Sequence, residues 1–159
     1  MSLRTGGQIA IAQLPIINPH NLKILGWWCT APSGQRTVLL AEDIRESLPA
    51  GLAVNDEDAL SEPADLVRHK EILEIRFDLM DKQVRTKRHK LGKVSDYSYN
   101  DGLFVQKLYV ARPLHKVFTS DDTLIVDREQ IIEVTDRFIL VRDSEIKATA
   151  EELAGAVAA

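Results

Sequence analysis

The sequence predicts a mainly β chain: two small barrel-like β-units joined by a helix, with a short helical tail at the C-terminus. Three observations carry this. A segment near residue 40 returns near residue 127, apolar runs of strand length are separated by dense turn signals, and one stretch between the two halves carries helix-start chemistry. The repeat is the strongest of these. Val38-Leu39-Leu40-Ala41-Glu42-Asp43-Ile44 and Leu52-Ala53-Val54-Asn55-Asp56 recur as Ile125-Val126-Asp127-Arg128-Glu129-Gln130-Ile131 and Ile139-Leu140-Val141-Arg142-Asp143. A constant shift of 87 positions aligns them without a gap. The expected division is residues 1–60 for the first unit, 61–74 for the helix, 75–145 for the second unit and 146–159 for the tail.

In the first unit, Gln8 to Ile17 reads as a strand that Pro15 ends or pushes to a sheet edge. Asn18-Pro19-His20-Asn21 is a turn, and Leu22 to Cys29 returns as the second strand of a hairpin. Pro32-Ser33-Gly34-Gln35 turns the chain into a third strand, Arg36 to Leu40. A short helical turn or bend follows at Ala41 to Arg45, and Leu52-Ala53-Val54 closes the unit. The joining helix has Ser61 as a cap, Pro63 in its first turn and acids at its positive end. Leu66, Val67, Ile72 and Leu73 give it a modest apolar stripe.

The second unit repeats this order. Lys82 to Thr86 and Lys90 to Tyr99 precede the turn Asn100-Asp101-Gly102, and Leu103 to Val110 is the return strand. Asn21 falls opposite Gly102, Trp28 opposite Tyr109 and Cys29 opposite Val110, so the hairpins match as well. Asn21 and Gly102 both tolerate the left-handed backbone that a tight turn needs. Six extra residues fall between hairpin and third strand, within Arg112 to Thr123. The tail from Ser144 to Ala159 is rich in Ala and Glu and reads as a loose helix.

Gly92-Lys93-Val94-Ser95-Asp96, then Leu103-Phe104-Val105, Leu108-Tyr109-Val110 and Gln130-Ile131-Ile132-Glu133-Val134, resemble the PRC-barrel superfamily. That superfamily includes the C-terminal domain of the ribosome maturation factor RimM and the cytoplasmic part of the photosynthetic reaction-centre H subunit. The resemblance covers Leu79 to Asp143, and reaches Gln8 to Asp56 only through the repeat. In the first copy, Ala12-Gln13-Leu14-Pro15-Ile16 holds the place of the Gly and Asp positions. The resemblance implies small six-stranded-type barrels that bind another macromolecule and perform no chemistry of their own. Gly92 then suits a bulge or bend, and Asp96 a bond to nearby amides.

Composition narrows the function. The net charge of −4 is an ordinary surface balance, without the global basic excess of a nucleic-acid binder. A single cysteine, Cys29, excludes an internal disulfide and sits in an apolar run, where a buried role is expected. The N-terminus lacks a signal-peptide layout, and no apolar run reaches the roughly 18 residues of a membrane span. A soluble, cytoplasmic protein is expected. His20, His69, His89 and His115 have no metal-site spacing, and the acids at Asp56-Glu57-Asp58 and Asp121-Asp122 lack the alternating ligands of a calcium loop. No phosphate-loop, nucleophile-elbow or Cys-x-x-Cys motif is present. The expectation is a non-enzyme without cofactor or metal.

Two features are candidate contacts. Lys82 to Lys93 holds six basic residues and no acid. A turn around Thr86 to His89 would gather Arg85, Lys87, Arg88 and Lys90 at a hairpin tip that suits phosphates, while a solvated edge rich in lysine is the plainer reading. Trp27-Trp28 places one indole inward and one outward if the strand alternates, and the outward one suits a partner or the other barrel. The leading expectation is a protein-binding adaptor or scaffold. A RimM-like role on RNA or a ribosomal protein comes second, and self-association through open barrel edges is a further reading.

Overall fold

The computed structural model describes residues 1–112 and 123–143. The fold is mainly β, with a sheet curled into a half-barrel. The chain divides into two compact units, Met1–Asn18 with Lys23–Phe77, and Pro19–Leu22 with the residues from Asp78 onward. The six extra residues within Arg112 to Thr123 fall largely beyond the described residues, as do His115, Asp121-Asp122 and the expected helical tail.

The first unit runs β1 (Ile11–Asn18), β2 (Lys23–Thr30), β3 (Arg36–Leu40), β4 (Ile44–Leu48), β5 (Gly51–Val54), β6 (Leu60–Ser61) and α1 (Lys70–Ile75). The strands form a four-stranded sheet in the order β1-β2-β3-β6 and a β4-β5 pair. Pro15 sits in the edge strand β1, where its missing N–H breaks no ladder. The second unit runs β7 (Gln83–Arg85), β8 (Lys90–Tyr99), β9 (Val105–Ala111), β10 (Thr123–Asp127), β11 (Ile131–Val134) and β12 (Phe138–Val141). These join into one six-stranded sheet in the order β10-β9-β8-β7-β12-β11.

The repeat extends to register. β3, the 3-10 turn Ala41–Asp43, β4 and β5 correspond to β10, the 3-10 turn Arg128–Gln130, β11 and β12. Ile44 pairs with Val54 and Glu46 with Ala53, as Ile131 pairs with Val141 and Glu133 with Leu140, so even the bulge between them recurs. The hairpins agree too: Ala12↔Cys29, Leu14↔Trp28 and Ile17↔Ile24 become Val94↔Val110, Asp96↔Tyr109 and Tyr99↔Val105. Ser2 bridges Val54 in parallel, as β7 runs parallel to β12. One-residue slips would turn every side chain to the other face, so two bulges kept in place preserve the inside–outside pattern of both units.

Local chemistry differs from expectation at three points. The left-handed residues of the hairpin turns are Leu22 (φ 55°) and Leu103 (φ 63°), one place beyond Asn21 and Gly102. Leu103 N–H donates to Asn100 C=O, closing a turn over Asp101-Gly102 that a left-handed residue must follow to rejoin the twisted strand. Leu22 is buried, and its burial offsets the roughly 1–2 kcal/mol of an L-residue in that conformation. Because the second turn is one residue shorter between paired strands, Gly92 matches Ala10 and Asp96 matches Leu14. Finally, Ser61 does not cap a helix. It pairs with Val38 in β6, two 3-10 turns follow at Pro63–Asp65 and Val67–His69, and only Lys70–Ile75 is α-helical.

Both faces of the first sheet are covered. Ile16, Val38, Leu40 and Leu73 form one buried cluster, joined by Trp28, Leu66 and Ile72. Cys29, Leu39 and Val54 form the other, joined by Trp27, Ile44, Leu52 and Leu60. Gly26 lies between them because β3 passes so close that a Cβ would meet the Leu39 carbonyl oxygen at 2.2 Å. In the second unit, Val84, Val94, Val105, Leu108, Val110, Leu124, Val126, Ile139 and Val141 are the buried side chains of β7 to β10 and β12.

Candidate functional site

The basic run of the second unit folds into a built turn. Thr86 is buried, and its Oγ1 accepts the amides of Arg88 (3.3 Å) and His89 (3.0 Å), while Thr86 N–H donates to His89 C=O at 2.8 Å. This local hydroxyl cap holds a tight corner. Lys87, Arg88, His89 and Lys90 are exposed on it. Arg85 is drawn away: its Nε donates to Thr86 C=O, and its guanidinium lies 5.3 Å from the Phe138 ring centroid. Three of the four basic residues singled out from sequence therefore share the tip, and Arg85 serves the sheet.

Trp27 and Trp28 separate by face, as strand alternation requires. Trp27 packs on the Cys29–Leu39–Val54 cluster, and Trp28 on the cluster under α1. Neither projects freely. Trp28 instead lines a groove of about 710 Å³ with Pro63, Ala64, Leu66, Val67 and Leu73 and the charged Lys70, Glu74 and Arg76, and the Arg36 guanidinium stacks 4.1 Å from its centroid. Leu14 lies opposite Trp28 in the β1–β2 pair and is 56 % exposed, while Val67 is 78 % exposed. Residues paired across an antiparallel ladder project to one side. The first unit thus carries exposed apolar side chains at Leu14, across from Trp28, and at Val67 in the groove, beside an aromatic–arginine stack.

A second cleft in the first unit, about 550 Å³, is lined by Gln8 to Ala12 on one side, Met1, Gly51, Leu52 and Val54 on the other, and Cys29 and Leu39, and Met1 is bonded there to Leu52 C=O and Val54 N–H. Nothing in composition announces it, and only the register of the two copies reveals why it is there. In β8 the residue matching Ala10 is Gly92, whose φ of +151° and close approach to Ala111 C=O let the strand bend onto β7. Ala10 carries a Cβ that this conformation would drive into a carbonyl. The first unit leaves β1 at the sheet edge, where the second is continuous.

Burial shifts two titrating groups, Cys29 and Tyr97. Burial pushes the Cys29 thiol above its ordinary value, partly opposed by the Leu39 backbone, and its Sγ donates to Trp27 C=O at 3.6 Å. Burial, with the Tyr99, Asp78 and Asp96 charges adding, pushes the Tyr97 phenol up to about 12 from 10.0. Between those values the folded state keeps a proton that the unfolded chain has lost, so stability falls as pH rises through the window. Urea midpoints measured from pH 10 to 12 should decline, and the decline should be shallower in Tyr97→Phe.

Among the described residues no cluster of three or more His, Cys, Asp or Glu side chains could hold a metal ion, and no helix is long and apolar enough to cross a membrane. No family model matches the chain, and no curated protein matches it.

Proposed function

We propose that the protein is a non-catalytic, tandem PRC-barrel-type adaptor that docks a protein partner in the cytoplasm. The observation that carries this is the pair of exposed apolar residues Leu14 and Val67 flanking the half-buried Trp28, with Arg36 stacked on the indole. Aromatic and arginine anchors surrounded by apolar contacts are the composition of binding hot spots. The internal repeat supports the barrel reading, because two copies keep the same bulges while their surfaces diverge. Affinity capture from lysate tests it. A discrete partner should be recovered with or without RNase, and Leu14→Glu with Val67→Glu should lower its recovery at least tenfold, about 1.4 kcal/mol. Capture indifferent to both changes would sink the reading.

The exposed corner Lys87-Arg88-His89-Lys90 favours a second reading, a RimM-like contact with ribosomal RNA. Phosphate contacts release counterions, so each one contributes about 0.9 to the log–log salt slope on a duplex. Neutralising Lys87, Arg88 and Lys90 should lower that slope by about 2 to 3. Filter binding between 50 and 200 mM salt measures it, and an unchanged slope leaves the corner as a solvated edge.

A further inference from the structure

We propose that the groove beside Trp28 takes an acidic segment of a partner protein, with an apolar side chain against Trp28, Leu66 and Leu73 and a carboxylate on Arg76. The inference rests on the adaptor reading and names the chemistry of the partner. The groove belongs to the first unit and holds about 710 Å³. Its apolar side is Leu73, which is buried, with Trp28 and Leu66, which are half-buried. Its other side is charged. Lys70, Leu73 and Glu74 are three and four residues apart on one face of α1, and Arg76 follows at the helix end. Ala64, Val67, Lys70, Glu74 and Arg76 are exposed, so a guest can enter from solvent and keep its main chain wet.

Three features select an acidic guest. The first is the charge of the groove. Lys70 and Glu74 lie 3.8 Å apart and offset each other, which leaves Arg76 as the uncompensated charge of the lining. Arg36, 4.1 Å from the Trp28 centroid, adds a second positive charge at the indole. Among the described residues no acid pairs with either arginine. Glu62, Asp65 and Glu71 lie outside the lining, and Glu62 accepts from Gln35 Nε2 at 3.0 Å. A chain of net charge −4 thus carries a locally positive groove, which repels basic partners and steers acidic ones. Second, both cations are guanidinium groups, whose planar fork of donors matches a carboxylate. Third, Arg76 ends α1 in the left-handed conformation, at φ 50° and ψ 46°. Gly or Asn adopts that backbone more readily and is the usual residue at such a helix end. An arginine here costs local stability and keeps a cation at the groove, and strain of this kind gathers at binding sites.

The probe is a random dodecapeptide library displayed on phage and selected on the full chain, with the selected peptides then made synthetically, end-capped and titrated under amide NMR. Enriched peptides should be net acidic with apolar side chains beside the acid. They should shift the Trp28 indole N–H and the amides from Leu66 to Arg76, with Kd below about 100 μM, and bind more weakly as salt rises. Arg76→Asn separates binding from folding. It should keep or raise the urea midpoint, because Asn suits the left-handed backbone, and weaken the peptides about fivefold. Arg76→Lys keeps the charge and should weaken them only about twofold. Enriched peptides that are neutral or basic, or that bind Arg76→Asn as well as the parent, would overturn the acidic guest and leave the adaptor reading standing. Shifts away from Trp28 and α1 would overturn the groove with the same consequence. No enriched peptide, with a partner still captured from lysate, would overturn the peptide guest in favour of a folded surface. No enriched peptide together with failed capture would overturn both readings.

Discussion

Replacing Gly92 by alanine should cost about 3 kcal/mol or more and release the pairing of β7 with β8. Two effects add at this residue. Its φ of +151° is a conformation that L-residues rarely adopt, worth about 1–3 kcal/mol. The new Cβ would also stand 2.0 Å from the Ala111 carbonyl oxygen and 2.8 Å from its carbon, backbone atoms that cannot rotate aside. A urea midpoint lower by about 1 M or more is expected for a domain of this size. Hydrogen exchange should localise the damage, because Asp81 N–H donates to Val94 C=O and Val94 N–H to Lys82 C=O beside β7, and these two amides should lose protection first. Gly34→Ala is the control: its φ is +83° but a Cβ there meets nothing within 4 Å, so it should lose only about 1 kcal/mol. Equal losses in the two variants would mean that backbone strain alone, without the carbonyl contact, sets the cost at Gly92.

That substitution installs in the second unit the residue type that Ala10 supplies in the first. The contrast shows which parts of the architecture were legible. The shift from Ile44 to Ile131 and from Val54 to Val141 could be read directly, since each pair is a buried or half-buried end of the same strand ladder. Turn signals located the β1–β2, β2–β3 and β8–β9 hairpins, while the β4–β5 and β11–β12 turns were not named from sequence. The signals misplaced the left-handed residue because Gly102 permits that backbone without requiring it, whereas the strand twist requires it at Leu103. The stretch from Ser61 carries caps and dipole charges that suit a helix. Pairing of Ser61 with Val38 and the turn at Pro63 take precedence, leaving six helical residues. Local propensity loses there to a tertiary ladder.

The candidate sites were legible at the charged corner and at the Trp27-Trp28 pair. Lys87, Arg88 and Lys90 were found because a corner at Thr86 leaves their long side chains nowhere but solvent. Arg85 differs by being on the strand itself, beside Phe138. Leu14 and Val67 gave no signal, because an exposed leucine in a half-apolar strand looks like any other.

Trp27→Ala should be the other large loss, about 3 kcal/mol, and it decides whether this indole belongs to the core or to a binding surface. Trp27 pairs with Pro15 on one side and Leu39 on the other, and packs on the Cys29–Leu39–Val54 cluster. Leu108 holds the same register in the second unit, between Tyr97 and Val126, with no exposed surface. Truncating an aromatic in such a place costs about 3–5 kcal/mol, through lost transfer energy and the cavity left behind. The indole is only half-buried, which sets the expectation at the lower end. Trp27→Leu copies the residue that the second unit uses and should recover about half of the loss. Trp28→Ala should lower stability less, by about 2 kcal/mol, because the groove side of its ring is open and the Arg36 stack is worth about 0.5–1 kcal/mol at such a site. It should instead weaken partner capture. Denaturation midpoints set beside capture yields therefore separate the two neighbours: Trp27 should move the first, Trp28 the second, and a reversal of that order would assign the anchor to the inner face.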